Sequence, residues 1–176
     1  DDFLRTSNKN VFAVGDVASK YQFTHVAGTH AQMVVENALM GGKKRVSDMV
    51  IPWCTFTEPE VAHVGQYERD VVESGGEVDT YTSSFQHNDR AILEGATEGF
   101  VRIHCKKGTE EILGATIVAP AAGEMISELT VAMQFKVPLG AMGLGSVIHS
   151  YPTMADGVGG CAFQCKMKSW TRELPD

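Results

Sequence analysis

The sequence predicts an α+β fold in which an antiparallel β-sheet is flanked by helices, and three observations lead there. Four segments rich in β-branched and aromatic residues, "VIPWCTF" (50–56), "VDTYTSSF" (78–85), "FVRIHCK" (100–106) and "EILGATIVA" (111–119), read as strands. The polar stretch "KKGTEE" (106–111) lies between the last two and suits the turn of an antiparallel hairpin. The strands run mostly together with helical patterns flanking them, which is the arrangement of a sheet with helices on one side and not of alternating βαβ units.

Taken in order, "NVFAVGDVA" (10–18) is a short apolar run stopped at Gly15-Asp16 and reads as a buried strand ending in a turn. "THVAGTHAQMVVENALMGG" (24–42) carries apolar residues at helical spacing and closes on a glycine pair, a helix stop. The polar "KKRVSD" (43–48) is linker-like, so a boundary is expected there, with residues 1–46 on one side and 47–176 on the other. "QYERDVVESGG" (66–76) reads as a short helix ended by glycines, and "AGEMISELTVAMQFK" (122–136) as the strongest helix, with Met125, Leu129, Ala132 and Met133 on one stripe. Pro138 and a glycine-studded loop follow. "TMADGVGGCAFQCKMKSW" (153–170) is expected to be helical in its latter part only, because three glycines oppose a helix at its start.

Composition narrows the class. With 176 residues, 43% of them hydrophobic and 21% charged, the chain has the material for one globular core, or one domain and a piece of another. A net charge of −7 with no basic stripe argues against nucleic acid as a partner. No apolar run approaches the ~18 residues of a membrane helix, so no membrane partner is expected. The chain opens on "DDFLRTSNKN" with neither Met nor a secretory signal, and is expected to be a fragment or a processed chain. Four cysteines, Cys54, Cys105, Cys161 and Cys165, do not make a disulfide scaffold. Cys54 and Cys105 fall inside strand-like runs, where thiols act as small buried hydrophobes, and a reducing, cytoplasmic compartment fits.

The chemistry-bearing residues concentrate around "VIHSYPTMADG" (147–157), where His149, Tyr151 and Asp156 surround a Tyr-Pro-Thr turn. In an extended segment positions 149 and 151 share a face, so His149 is either a base beside Tyr151 or a buried imidazole bonded to backbone. A phenol with a pKa near ~10 is a poor base at neutral pH but a good hydrogen-bond donor. Gly15-Asp16 alone reads either as a turn with a helix-capping residue or as a ligand contact. Cys161 and Cys165, four apart, share one helix face and read as core-facing thiols or, less simply, as a reactive pair. His25, His30, His63, His87 and His104 have no metal-ligand spacing and read as structural or exposed; no metal site is expected.

"NVFAVGDVA" and the helix after it, "IPWCTFTEPEVAHVG" (51–65), "EILGATIVAPAAGEMISEL" (111–129) and "HSYPTMAD" (149–156) together resemble, in this order, the FAD- and NAD(P)-dependent disulfide oxidoreductases. That family includes dihydrolipoamide dehydrogenase, glutathione reductase and mercuric reductase. The resemblance implies that residues 1–46 are the tail of an FAD-binding domain and residues 47–176 the C-terminal dimerisation domain of a homodimer. It implies that Asp16 accepts a hydrogen bond from a ribityl hydroxyl of FAD, with Gly15 making room. Backbone amides of Thr24, His25, Val26 and Ala27, at a helix N-terminus, are placed at the flavin pyrimidine edge. NAD(P)H is the implied co-substrate. The family's glycine-rich fingerprint, redox-active cysteine pair and NAD(P) domain do not occur in these residues, so the chain alone is not expected to hold FAD tightly or to transfer hydride.

By the same resemblance "HSYPTMAD" is the active-site loop that one subunit lends to the other. Tyr151 stands where most members carry a catalytic His, a departure shared with mercuric reductase-like members, and Asp156 takes the acidic position that orients it. The resemblance implies a cis Tyr151-Pro152 bond and Asp156 as orienting group; side-chain chemistry adds the expected roles of Tyr151 as hydrogen-bond donor to substrate or thiolate and His149 as relay. The alternative is a non-catalytic dimerisation or binding module that keeps the fold.

Overall fold

The computed structural model describes residues 1–173. The chain divides into two compact units, Asp1–Ile51 and Pro52–Asp176.

In the first unit helix α1 (Thr24–Leu39) buries Val26, His30 and Met33. Their spacing of four and three residues puts them on one face, as an amphipathic helix requires. The helix stops at the glycine pair as expected: Met40 is the last capping residue, Gly41 adopts φ +71°, and the Gly42 amide donates back to the Glu36 carbonyl. The expected strand over residues 10–18 does not form. A single antiparallel bridge, Arg5 to Phe12, is all the pairing there, and Val11, Val14 and Val17 are exposed. An apolar run becomes a strand only when a second segment takes up its backbone groups, and this unit supplies one bridge's worth. Residues 43–48 are not a free linker, since the Ser47 hydroxyl and amide both bind the Asp2 carboxylate at 2.7 and 2.9 Å.

The second unit is the α+β fold the sequence predicts. Strands β1 (Pro52–Thr55), β2 (Glu60–Gly65), β3 (Val78–Ser84), β4 (Phe100–Lys106) and β5 (Ile112–Ala119) form one sheet in the order β1-β2-β5-β4-β3. Every pairing is antiparallel. The β4–β5 hairpin turns at residues 106–111, with Gly108 at φ +75°. Strand β2 was not anticipated as a strand: Thr57, Glu58 and Pro59 break the run and close a tight connection with a cis Glu58-Pro59 bond. Between strands lie two short helices, α2 (Glu68–Glu73) and α3 (Asp89–Glu94), the second unanticipated.

Two longer helices cover one face of the sheet. Helix α4 (Ala122–Gln134) lies on β1, β2 and β5, and α5 (Asp156–Glu173) on β3 and β4. Register places Val64, Ala115, Ile103 and Tyr81 in one row beneath them, and Ala62, Ile117 and Val101 in the next, all buried. The α4 stripe is Ala122, Ile126, Leu129 and Ala132. Met125 and Met133, expected on it, are only half-buried; one residue's step turns a helix by about 100°, so Ile126 takes the inward place. Helix α5 begins at Asp156, earlier than its glycines suggested. Their role is steric: a Cβ on Gly157 would stand 3.0 Å from Val101 Cγ2, and one on Gly160 2.8 Å from Ser83 Oγ. Losing helix propensity there lets α5 sit close to β3 and β4.

The histidines are structural or exposed, as read from the sequence. His63, on the opposite face of the sheet, bonds Thr116 and the Gly65 carbonyl and stacks on Tyr67 with ring centroids 3.8 Å apart. His104 bonds Thr80 at 2.8 Å. Burial lowers the pKa of both imidazoles. Asp79, buried at the edge strand β3, receives Lys168 Nζ at 2.8 Å, Lys107 Nζ at 3.4 Å and the Gly108 amide. Burial pushes its carboxyl up, but these donors outweigh burial and hold it well below the usual carboxylate range.

Cys105, Cys161 and Cys165 are buried and Cys54 is half-buried, all as free thiols. Burial pushes the Cys161 thiol up to about 12, and a hydrogen bond to Cys165, together with burial, holds Cys105 above the ordinary thiol range. At 0% and 1% exposure, Cys161 and Cys165 face the core.

Two predictions follow from this packing. Asp79→Asn is expected to cost about 2 kcal/mol of unfolding free energy at neutral pH, the loss of a buried charge-assisted acceptor. Since the native carboxyl titrates below the unfolded value of about 3.9, that contribution is full above this pH and fades as pH falls toward the native value. Urea titrations of both proteins at pH 7 and pH 3 check it; a difference that does not shrink at pH 3 contradicts it. For the thiols, an aromatic disulfide reagent is expected to label no more than Cys54 quickly in the native state and the other three only on unfolding. Rapid native labelling of Cys161 or Cys165 would make them a reactive pair.

Candidate functional site

The loop at residues 147–155 leads from a single 3-10 turn, Leu144–Ser146, into α5. Its two ends are differently held. Val147 and Ile148 are exposed, whereas Met154 is buried and its carbonyl accepts the Gly157 amide, seating the loop's end on the helix. Within the loop the Thr153 hydroxyl donates to the Ser150 carbonyl at 2.7 Å, and Tyr151-Pro152 is cis, as the resemblance implied.

Helix α3 holds this loop from the side. Asn88, buried, caps α3 by accepting the Ala91 amide at 3.0 Å, and its Nδ2 donates to the Thr153 carbonyl at 3.0 Å. The next residue, Asp89, accepts the Tyr151 hydroxyl at Oδ2, 2.5 Å away. The Tyr151 ring is itself 73% exposed and faces away from the core. Its hydrogen bond to Asp89, the charge of Asp89, and more weakly burial and the charge of Asp156 raise the phenol pKa above its ordinary value. Tyr151 is thus a neutral phenol whose proton is directed at Asp89.

The structure separates the three loop residues that the sequence grouped. Asp156, the expected orienting group, opens α5 as an exposed residue, favoured there by the helix dipole; the hydroxyl of Tyr151 is taken by Asp89 instead. His149 does not share a face with Tyr151. Its ring is largely buried and its Nε2 stands 2.8 Å from Glu128 Oε1 of α4. Its other edge lies over α5, where a Cβ on Gly159 would stand 3.1 Å from His149 Nδ1 and 3.5 Å from Asp156 Oδ1. His149 is therefore bonded to a carboxylate on a neighbouring helix, neither to backbone nor to Tyr151. Sequence reading missed Asn88, Asp89 and Glu128. An Asn-Asp pair ahead of a short apolar stretch and Gly95 is a helix-start signal, yet nothing local ties it to a loop 62 to 65 residues later.

In the first unit Gly15 and Asp16 open a 3-10 turn, Gly15–Val17, and Asp16 is exposed. Gly15 is required on two counts: its φ is +70°, and a Cβ there would lie 2.9 Å from the Ala27 Cβ. Its amide points at Nδ1 of the buried His30, 3.4 Å away. At the start of α1, Thr24 and His25 are exposed, the His25 ring stacks on Phe23, Ala27 is half-buried and the Val26 side chain faces inward. The Val26 and Ala27 amides donate to the Phe23 carbonyl, so those two are spent within the helix. Among the described residues no group of three or more His, Cys, Asp and Glu side chains is placed to hold a metal, and no helix is long and apolar enough to cross a membrane.

Known proteins share this architecture. A mercuric reductase of Streptomyces lividans is 34% identical over 158 residues, which is 90% of this chain and 33% of that protein. Dihydrolipoyl dehydrogenase 3 of Haloarcula marismortui is 33% identical over 90% of this chain and 32% of its own length. Among solved structures, LpdA from Mycobacterium tuberculosis superposes with a TM-score of 0.86 at 25% identity, over 94% of this chain and 36% of that one. The HOCl-induced flavoprotein disulfide reductase RclA from Escherichia coli superposes at 0.84 with 26% identity, over 94% and 38%. The chain thus spans about a third of the length of the curated relatives it matches. Residues 51–160 match the model of the pyridine nucleotide-disulphide oxidoreductase dimerisation domain, and the chain belongs to that family.

Proposed function

We propose that this chain is the dimerisation portion of a flavin-dependent NAD(P)H oxidoreductase that reduces a disulfide or a metal ion, and that it lends residues 147–156 to the active site of a second copy. The observation that carries this reading is the state of Tyr151. An aromatic side chain left 73% exposed usually loses its order, yet here its hydroxyl is bonded to Asp89 and its loop to Asn88, and it faces outward. A side chain fixed by its own subunit and offered to solvent is prepared to meet something outside that subunit. Val131 and Phe135 of α4, with Met142, Val147 and Ile148 after it, are exposed apolar residues that a second copy would cover.

In this reading Tyr151 contacts the partner's reacting thiol or its substrate, and the Asp89 and Asp156 carboxylates set the local field. His149, held by Glu128, steadies the base of the loop. In the first unit the exposed Asp16, on a turn only Gly15 permits, would accept a hydrogen bond from a ribityl hydroxyl of FAD, while the exposed Thr24 and His25 would line the ring's edge. When bound, the flavin would relay reducing equivalents from NAD(P)H. Four free thiols, three of them buried, suit a reducing, cytoplasmic compartment.

In the whole enzyme Tyr151→Phe is expected to lower kcat/KM about tenfold or more, the usual loss when a transition-state hydrogen bond is removed, while sedimentation shows an unchanged dimer. Turnover unchanged by this substitution would make the chain a non-catalytic dimerisation module.

A further inference from the structure

Tyr151 is the exposed end of a chain of contacts that begins inside the subunit. Asn88 is buried and uses both ends of its side-chain amide, the oxygen to cap α3 and the nitrogen to hold the Thr153 carbonyl. That double use fixes the first turn of α3 against the loop, and Asp89, one residue on, comes to face the Tyr151 hydroxyl at 2.5 Å. The cation nearest in sequence, Arg90, is turned aside: its guanidinium pairs with Glu94. The charged groups that bear on the phenol are Asp89 of α3 and Asp156 of α5, both carboxylates.

We infer that Asp89 is a positioning residue of this site: it accepts the hydrogen bond of the Tyr151 hydroxyl, aims the phenol, and leaves an oxygen lone pair as the group presented to the partner subunit. This rests on the reading of the loop as part of an active site and sharpens it. A hydroxyl has one proton and accepts through its remaining lone pairs. With the proton directed at Asp89, Tyr151 acts as an acceptor, in contrast to the donor role expected from the sequence. An acceptor flanked by two carboxylates suits an electron-poor group opposite, a thiol that still carries its proton or a cation, and disfavours a free thiolate, which would meet like charge. The same carboxylate charge opposes ionisation of the phenol, so the acceptor stays neutral into alkaline pH.

The test uses the whole enzyme with Asp89→Asn, Asp89→Ala, Tyr151→Phe and the Asp89→Ala/Tyr151→Phe pair. Two readouts are taken: NAD(P)H-driven reduction of lipoamide from pH 6 to 10, and the ultraviolet titration of the Tyr151 phenolate, obtained as the difference from Tyr151→Phe. Asp89→Ala is expected to lower kcat/KM about as much as Tyr151→Phe, and to cost nothing further once Tyr151 is Phe, because residues that act as one unit are not additive. Asp89→Asn keeps an acceptor oxygen, so near-neutral activity is expected to survive while both the alkaline limb and the phenolate titration move to lower pH. An unmoved titration, or a loss from Asp89→Ala that persists in the Tyr151→Phe background, overturns the inference. If Tyr151→Phe leaves turnover intact while Asp89→Asn still shifts the titration, the pairing stands and the active-site reading falls. Should Asp89→Ala fail to fold, the isosteric Asp89→Asn titration alone decides.

Discussion

The close seating of α5 on β3 and β4 is the constraint from which the loop's geometry follows. Gly157 and Gly160 remove the two Cβ atoms that would otherwise press on Val101, Phe85 and Ser83. With those gone, Val158, Cys161, Ala162 and Cys165 are buried against the sheet, each apolar side chain contributing on the order of 1–3 kcal/mol. The start of the helix is thereby fixed, and with it Asp156, the Met154 turn and the point where the loop must arrive. Phe85, whose ring would stand 3.1 Å from a Cβ on Gly157, is fully buried just ahead of Asn88. One packing contact therefore governs both the helix that ends the loop and the segment that latches its side.

Electrostatics then divides the labour among residues of similar appearance. His149 and Tyr151 are two positions apart, yet one turns inward to a carboxylate on α4 and the other outward to a carboxylate on α3. The inward pair anchors the base of the loop to the helix layer. The outward pair leaves a neutral, oriented oxygen at the surface. Replacing a catalytic imidazole by such a phenol exchanges a group that moves protons near neutral pH for one that holds position and charge. If the loop serves an active site as proposed, the phenol in place of an imidazole would give a site that stabilises more than it titrates.

Much of the second unit was legible because its signals are local. The alternation of Val101, Ile103 and Cys105 against Arg102, and the turn at Gly108, mark β4 and β5 without knowledge of any partner. The cis bond of the loop, Tyr151-Pro152, was legible by motif. What escaped were features whose cause lies elsewhere in the chain. β2 was hidden because Pro59 interrupts its run, and only pairing with both β1 and β5 makes residues 60–65 a strand. Residues 10–18 failed in the opposite sense, having the apolar run without a ladder. Met125 displaced Ile126 in the expected stripe because both fit a helical period, and the sheet decides which one faces inward. Asp89 and Glu128 were invisible as site residues because their contacts join segments that only the fold brings together. Helix α5 was underestimated at its start because glycine propensity was weighed without the close contact that requires it.

The central claim is that this loop serves the active site of the other subunit. Mixed dimers test it most directly, pairing a whole-enzyme subunit that carries Tyr151→Phe with one whose redox thiols have been replaced. If the loop acts across the interface, each mixed dimer contains one site with intact thiols from the first subunit and an intact Tyr151 from the second. About half the wild-type activity per dimer should then return. Activity no higher than that of the two parents would show that Tyr151 acts within its own subunit or not at all, and would contradict the account.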